Sequence, residues 1–407
     1  MSENETAVRV LSQIDSDLIA ANTLRLIKKP SPTLHEEAAS KLYCEILREY
    51  GLEADLDYVQ EGRPNVIARI KGQGSGPTLL IGGHIDTIFQ EGCTTPRIEG
   101  GRVYGRGAND MKGSLISMAA AAGALKKSGV KLNGDLLLVA WIDHEEPEGV
   151  GIGPREVARK IRAGELKANG VIITEGPFDS LAIAQGGCAR FEIHVTGRKG
   201  SPHTTTCFLK SNPILWGSMV VEELYDMDQE LEATKQNKLI PQRRSIQIGI
   251  FQAGDFYNRL PDDLKIVGTV RWDPGEDLPA VEKRLGERLS RLENTIRNSL
   301  DPEVEIHVDL TLSRESSEIE SEDRLVQTVQ EAAARVFGQP LPLTGWRIVA
   351  DQPFFVRDAG VPAVYYGPFT EDDTTAHSNN ESVSIQRLTA MAKVYANSAL
   401  LFCGCSP

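Results

Sequence analysis

Two histidines, His84 and His377, with acidic residues between them, carry the chemistry legible in this chain. The apolar run Leu79-Leu80-Ile81-Gly82-Gly83 reads as a strand that ends in His84-Ile85-Asp86-Thr87. Side chains at i and i+2 of extended backbone share a face, so His84 and Asp86 can work as a pair. Asp86 can accept one imidazole N–H and leave the other nitrogen for a metal. Four further segments follow: Asp110 within Gly107–Gly113, Asp143-His144-Glu145-Glu146, Thr174-Glu175-Gly176-Pro177, and Ala376-His377 running to Glu381. Histidines mixed with carboxylates suit Zn²⁺, Mn²⁺ or Co²⁺ better than Ca²⁺. Two ions ~3.5–4 Å apart need a bridging carboxylate. In the pair Glu145-Glu146 one residue can ligate while its neighbour stays unligated as a proton shuttle. The order of these segments fits a two-metal hydrolase.

These residues need a frame. Residues 135–142 and 170–174 are almost continuously apolar, as strands covered on both faces are. Strands at 65–70 and 78–82 alternate with helices at 16–27 and 113–127. That alternation predicts an α/β fold with a mostly parallel, mixed sheet flanked by helices. His84, Glu145-Glu146 and Glu175 all fall just past strand carboxyl ends, where ligands of open α/β sheets gather. Thr33 and Glu36 read as a capping box opening a helix to about residue 50. From about residue 190 the pattern becomes strand-helix-strand-strand-helix-strand, a ferredoxin-like α+β arrangement. The expected organisation is a catalytic domain in two parts, 1–188 and 315–407, with an inserted domain at 189–314. His194 and His307 alternate within inserted strands and should face solvent.

Composition excludes other classes. The chain has 407 residues, 41% hydrophobic and 25% charged, with a formal net charge of −13. Such a balance gives no global attraction to nucleic acid or an anionic membrane. The first residues are acidic and lack an apolar core, so no signal peptide is expected. No apolar run approaches the ~18 residues of a membrane span. The six cysteines are scattered without a Cys-x-x-Cys, which makes a reducing cytoplasm the expected location. No Gly-x-Ser-x-Gly elbow is present, which disfavours a serine hydrolase.

The motifs together resemble the aminoacylase / acetylornithine deacetylase / glutamate carboxypeptidase family of metal-dependent peptidases, over nearly the whole chain. Matching residues are Gly83-His84-Ile85-Asp86, Gly107-Ala108-Asn109-Asp110-Met111-Lys112-Gly113, Glu145-Glu146, Glu175-Gly176-Pro177 and His377. The resemblance implies a zinc-peptidase-like catalytic domain and an inserted dimerisation domain. By the resemblance, His84, Asp110 and Glu175 hold one ion, while Glu146, Asp110 and His377 hold the other. One or two ions of Zn, Mn or Co per subunit are expected. Asp86 would orient His84, Glu145 would be the general base, and a cis peptide would follow Asp110. His203 resembles a histidine that reaches a partner subunit's site and stabilises the oxyanion. Asn258 and Arg271 resemble residues that hold the substrate carboxylate or carbonyl. Arg347, in Gly345-Trp346-Arg347, stands where the family has Gly-Gly-Thr and is a further candidate for an anionic group.

There are departures: His144 replaces an acidic residue, and Pro147-Glu148 separate the glutamate pair from Gly149. The expected function is hydrolysis of a C–N (amide) bond in a small, carboxylate-bearing N-acyl amino acid or peptide-like substrate, by a homodimer. Two rivals remain: hydrolytic deamination of an aromatic amine, suggested by Trp346-Arg347, and a binding protein without catalysis.

Overall fold

The computed structural model describes residues 3–145, 150–197, 199–200, 202–234, 237–240, 245–346, 350–370 and 375–406. The chain divides into two compact units. One comprises Met1–Ile183, Glu318–Trp346 and Ala350–Pro407, and the other Ala184–Ser317.

In the first unit a mixed sheet runs in the order Glu53–Gln60, Arg63–Ile70, Leu136–Trp141, Leu79–His84, Gly170–Ile173, Ala363–Tyr365, Leu181–Gln185. The central pairs are parallel: Leu79–His84 with Leu136–Trp141 and with Gly170–Ile173, and Ala363–Tyr365 with Gly170–Ile173. The outer pairs are antiparallel. Every residue of the three central strands is buried, because helices cover both faces of a parallel sheet. Leu80, Leu137, Val139, Trp141, Val171 and Ile173 pack on one face with Phe355 and Tyr365. The alanine-rich helix Gly113–Ser128 is buried through nearly its whole length. The mixed α/β architecture expected from the sequence is present.

Three local expectations change. The helix expected to start at Thr33 spans Glu37–Glu49, and Glu36 caps it without a side-chain bond. Glu36 is instead committed to Arg63, at 2.5 and 2.9 Å. A long-range buried ion pair outcompetes a local capping bond. The strand Glu53–Gln60 and the helix Ile152–Arg162 were not anticipated. The helix follows a glycine-rich run and is capped by Gly151 at φ 79°, a conformation that glycine adopts without strain.

The second unit is a four-stranded antiparallel sheet in the order Ser245–Ala253, Asp263–Trp272, Gly187–Thr196, Glu305–Arg314. Helices Pro213–Ala233 and Leu278–Ser299 complete the ferredoxin-like pattern. Phe191, Ile193 and Val195 alternate inward and pack with Trp216, Leu224, Leu285, Leu289 and Ile296. Among the described residues no helix is long and apolar enough to cross a membrane.

Candidate metal centre

The first unit assembles its charged residues at the carboxyl ends of its central strands. The strand Leu79–His84 ends on His84, which is wholly buried. Gly83 precedes it because nothing larger fits: a Cβ there would lie 2.0 Å from Met111 Cε and 2.8 Å from Thr174 Oγ1. That close approach lets the segment Ala108–Lys112 lie against the strand end, and Met111 Sδ accepts the His84 backbone N–H at 3.3 Å. The Asp110–Met111 peptide is cis, as the family resemblance implied. Glu381 fixes the segment. Its Oε1 accepts the amides of Asn109 and Asp110, both at 3.0 Å, and its Oε2 pairs with Arg106 at 2.7 Å.

Asp110 then faces both histidines. Its Oδ1 is 3.1 Å from His84 Nε2, and its Oδ2 is 3.3 Å from His377 Nε2. His377 Nε2 is also 3.2 Å from Glu145 Oε1. His377 sits at φ 62°, a left-handed conformation that costs a non-glycine residue on the order of 1 kcal/mol. Burial by itself would raise the Asp110 carboxyl, yet the hydrogen bonds and charges of His377 and His84 hold it well below the usual carboxylate range. The hydrogen bonds to Asp110 and Glu145 push His377 up to about 10.

The expected pairing of His84 with the Asp86 carboxylate is corrected. His84 Nδ1 lies 2.9 Å from the backbone carbonyl of Asp86 and 3.7 Å from its Oδ1. The strand stops at His84, so extended-chain alternation no longer applies at Asp86. Asp86 Oδ2 instead accepts the backbone amides of His144 and Glu145 at 2.9 and 3.0 Å, and the Thr33 hydroxyl at 2.8 Å. It therefore holds the turn that carries Glu145. Asp143 adds to this anchoring. It pairs with Arg63 at 2.6 Å and accepts the amides of Val150 and Ile152 at 2.9 and 3.1 Å.

The donors fit a divalent cation. Among the described residues, two triads have donor atoms within 4.8 Å of one another: His84, Asp110 and Glu145, and His84, His144 and Glu175. A carbonyl can only accept, so Nδ1 of His84 carries a proton. Burial would lower the ring's pKa, yet the Asp110 hydrogen bond and the carboxylates around it raise it well above the ordinary value. A divalent cation can take the place of a proton between Nε2 and the Asp110 oxygen. Glu175 is 2% exposed, and its Oε2 has no hydrogen-bond partner among the described residues. Burial raises its carboxyl to about 7 against the opposing pull of His144.

A family model described as Peptidase family M20/M25/M40 matches residues 80–400. The chain belongs to this family. With it, the chain is a hydrolase acting on carbon–nitrogen bonds. A relative, the succinyl-diaminopimelate desuccinylase of Alkalilimnicola ehrlichii, is 26% identical over 384 residues, 91% of this chain and 95% of the relative. The fold is similar to that of a Staphylococcus aureus tripeptidase, with a TM-score of 0.76 and 17% identity over 96% of this chain and 99% of that one. It is also similar to a dinuclear metal binding peptidase of the M20 family from Bacillus subtilis, with a TM-score of 0.67 and 19% identity over 98% of each chain.

Of the residues anticipated for this M20 site, His84, Asp86, Asp110, Glu145, Glu175 and His377 lie in the first unit, in the arrangement just given. Glu146 and Arg347 lie outside the described residues. His203, Asn258 and Arg271 belong to the second unit. There His203 is exposed, its Nε2 accepts from Asn258 Nδ2 at 2.7 Å, and its Nδ1 lies 2.7 Å from Thr205 Oγ1. Arg271 is half-buried on Asp263–Trp272, opposite Cys188 and Ser245. Trp346 is 8% exposed and packs against Tyr365 and Phe369 in the core. This removes its part in the argument for an aromatic substrate. His144, Asp351 and Glu381 were not among the anticipated site residues. The one sequence signal was position: His144 stands inside the acidic cluster and Glu381 four residues past His377.

Proposed function

We propose that this chain hydrolyses the amide bond of a small, carboxylate-bearing N-acyl amino acid or peptide-like substrate, at a centre holding one or two ions of Zn, Mn or Co. The observation that carries this reading is Asp110 presenting one oxygen to His84 and the other to His377, with Glu145 beside them. In this reading His84, Asp110 and Glu175 hold one ion, and Asp110, His377 and Glu146 the other. An ion held there supplies Lewis acidity at the scissile carbonyl and brings the pKa of a neighbouring water toward ~7.

Glu145 takes the proton of the attacking water on its carboxylate and delivers it to the leaving amine. Asp86 keeps Glu145 in place through the backbone amide it accepts. His203, from a second copy, donates to the tetrahedral oxyanion, a contribution typically worth ~3–4 kcal/mol. Arg271, Asn258 and Arg347 serve the substrate carboxylate. A succinyl or other acyl group on an amino acid is the substrate class supported by the desuccinylase relative. The aminoacylase-like branch suggested by the motifs has the same bond chemistry.

The inserted unit is proposed as the dimer interface and lid. Its edge strand Ser245–Ala253 exposes Ile248, Ile250 and Phe251, and apolar edges of this kind are usually covered. Six free thiols accord with a reducing cytoplasm.

The test is Glu145→Gln in metal-loaded protein, assayed on N-acetyl and N-succinyl amino acids and dipeptides. Turnover should fall ~10²–10⁴-fold, the usual weight of general acid–base catalysis, with metal content unchanged. Near-full activity would remove Glu145 from this role.

A further inference from the structure

We propose that Glu381, secured by Arg106, is a positioning residue that sets the separation between His377 and Asp110 and so governs the hold on the ion those two residues share. The inference rests on the metallohydrolase reading and adds to it a buried pair that acts through the ligands. Glu381 is wholly buried and Arg106 is 4% exposed.

A short ladder brings the two ligand segments together. Ser382–Ser384 pairs antiparallel with Arg102–Tyr104, Ser382 opposite Tyr104 and Ser384 opposite Arg102. The Gly105 amide extends this ladder by donating to the Glu381 carbonyl at 2.9 Å. The chain leading back to His377 and the chain leading on to Asp110 therefore leave the ladder at the same end. There Glu381 Oε1 accepts the amides of Asn109 and Asp110, both at 3.0 Å. The loop that carries one ligand thus grips the backbone of the other. Arg106 Nη1 holds Glu381 Oε2 at 2.7 Å. The same guanidinium donates from Nε to the Phe89 carbonyl at 3.1 Å and from Nη2 to the His377 carbonyl at 3.4 Å. Its donors point in fixed directions, so one side chain ties three segments of the centre at set distances.

The two sides of Asp110 are supported differently. His84 ends a fully buried strand, and Met111, beside Asp110, packs on Gly83 and accepts the His84 amide at 3.3 Å. That side holds without Glu381. His377 instead has a side chain 49% exposed and a left-handed backbone at φ 62°. Such a conformation persists where the surroundings over-determine it. Arg106 meets its carbonyl, the Ser378 amide turns back to the Thr375 carbonyl at 3.0 Å, and the Asn379 carbonyl takes the Thr94 amide at 2.7 Å. These bonds shape the loop, while the Glu381 carboxylate ties it to Asp110 itself. A purely structural ion pair would account for Arg106, but not for the second oxygen turned onto the two amides.

The experiment uses the full chain reconstituted with Zn²⁺ or Co²⁺. A chelator withdraws the ions stepwise, elemental analysis counts them, and the Co²⁺ visible spectrum follows each step. His377→Ala marks the step that belongs to the His377 ion. Glu381→Gln leaves one accepting oxygen, which can serve the amides or Arg106 but not both. The double change Arg106→Met with Glu381→Gln leaves no buried charge and keeps an oxygen for the amides, while deleting the links to His377 and Phe89. Each should loosen the His377 step ~10–100-fold, the usual weight of a group that orients a metal ligand. The other step and its Co²⁺ spectrum should stay in place. Arg106→Lys, which keeps the charge without the fork, should fall in between.

An unchanged His377 step in folded Glu381→Gln, judged by its circular dichroism, would overturn the assignment. Equal loosening of both steps would overturn it too, since that is the mark of a structural ion pair. If Glu381→Gln does not fold, the same two readings on Arg106→Lys decide. If a single ion binds, it must loosen in both His377→Ala and Glu381→Gln, and its indifference to either overturns the proposal. Failure of the unsubstituted chain to take up any metal would instead overturn the metallohydrolase reading beneath it.

Discussion

Both units place histidines among carboxylates, and among the described residues only the first gathers them closely enough to hold a metal ion. In the second unit His194 lies between Asp263, at 3.0 Å, and Glu192, at 3.1 Å, while Lys265 and Arg190 also reach Glu192. That group sits on the partly exposed face of an antiparallel sheet, where each charge has a partner and water screens the rest. In the first unit His84, Asp110, Glu145 and Glu175 are buried, while His377 reaches them from an exposed position. One carboxylate is shared by two histidines, and one glutamate oxygen has no hydrogen-bond partner among the described residues. Residue type is equal in the two regions. Desolvation and incomplete pairing differ, and they make a region able to take a cation.

Substitutions can break that comparison, beginning with the largest effect. Asp110→Ala removes the carboxylate common to both histidines. Metal content by elemental analysis should fall, and turnover should drop by at least ~10³-fold, about 4 kcal/mol. Retained metal with retained turnover would show that the shared carboxylate is not the difference between the two regions.

Arg63→Met is next. It leaves Glu36 and Asp143 buried without their cation, and breaking a buried pair from one side costs ~3–5 kcal/mol. Denaturant unfolding of the metal-free protein reads this directly. Leu285→Ala empties a position 2% exposed in the second unit's core. A loss of ~2–5 kcal/mol in that unit is expected, with metal content unchanged, since no donor is touched.

The smallest effect belongs to the exposed cluster. The hydrogen bond to Asp263, followed by that to Glu192, raises His194 above its ordinary value. A histidine raised in the folded state stabilises fully below its unfolded pKa, near 6.5, and that contribution disappears as pH rises through the folded value. His194→Ala should therefore cost under ~1 kcal/mol below pH 6.5, with the cost fading as pH rises through the raised folded value. A larger loss, or one that grows with pH, would mean that the two clusters are more alike than their burial suggests.

Much of this was legible in the chain because it depends on local period and composition. Buried parallel strands announce themselves as unbroken apolar runs, and helix Ser16–Ile27 matches the expected span. The inserted unit declared itself by Phe191, Ile193 and Val195 alternating inward. Thr33 and Glu36 misled because a capping box is also just a threonine three residues before a glutamate. Each found a stronger partner elsewhere, Asp86 and Arg63 respectively. Trp346 misled because a large residue in place of a small one reads as pocket lining, whereas its ring closes the core.

The sequence by itself determined which chemistry is available: two histidines and a series of carboxylates, of which His84, Glu145-Glu146 and Glu175 follow central strands, with an antiparallel unit inserted before His377. Their ordering follows from strand and helix periods, which are local properties. The tertiary structure alone decided the pairings. His144 meets Asp351 across 207 residues, and Asp110 meets Glu381 across 271. Asp86 turns from the histidine two residues before it to the backbone that carries Glu145. Burial enforces these choices: a buried polar group takes whichever partner the packed chain brings within ~3 Å, whatever its distance along the sequence.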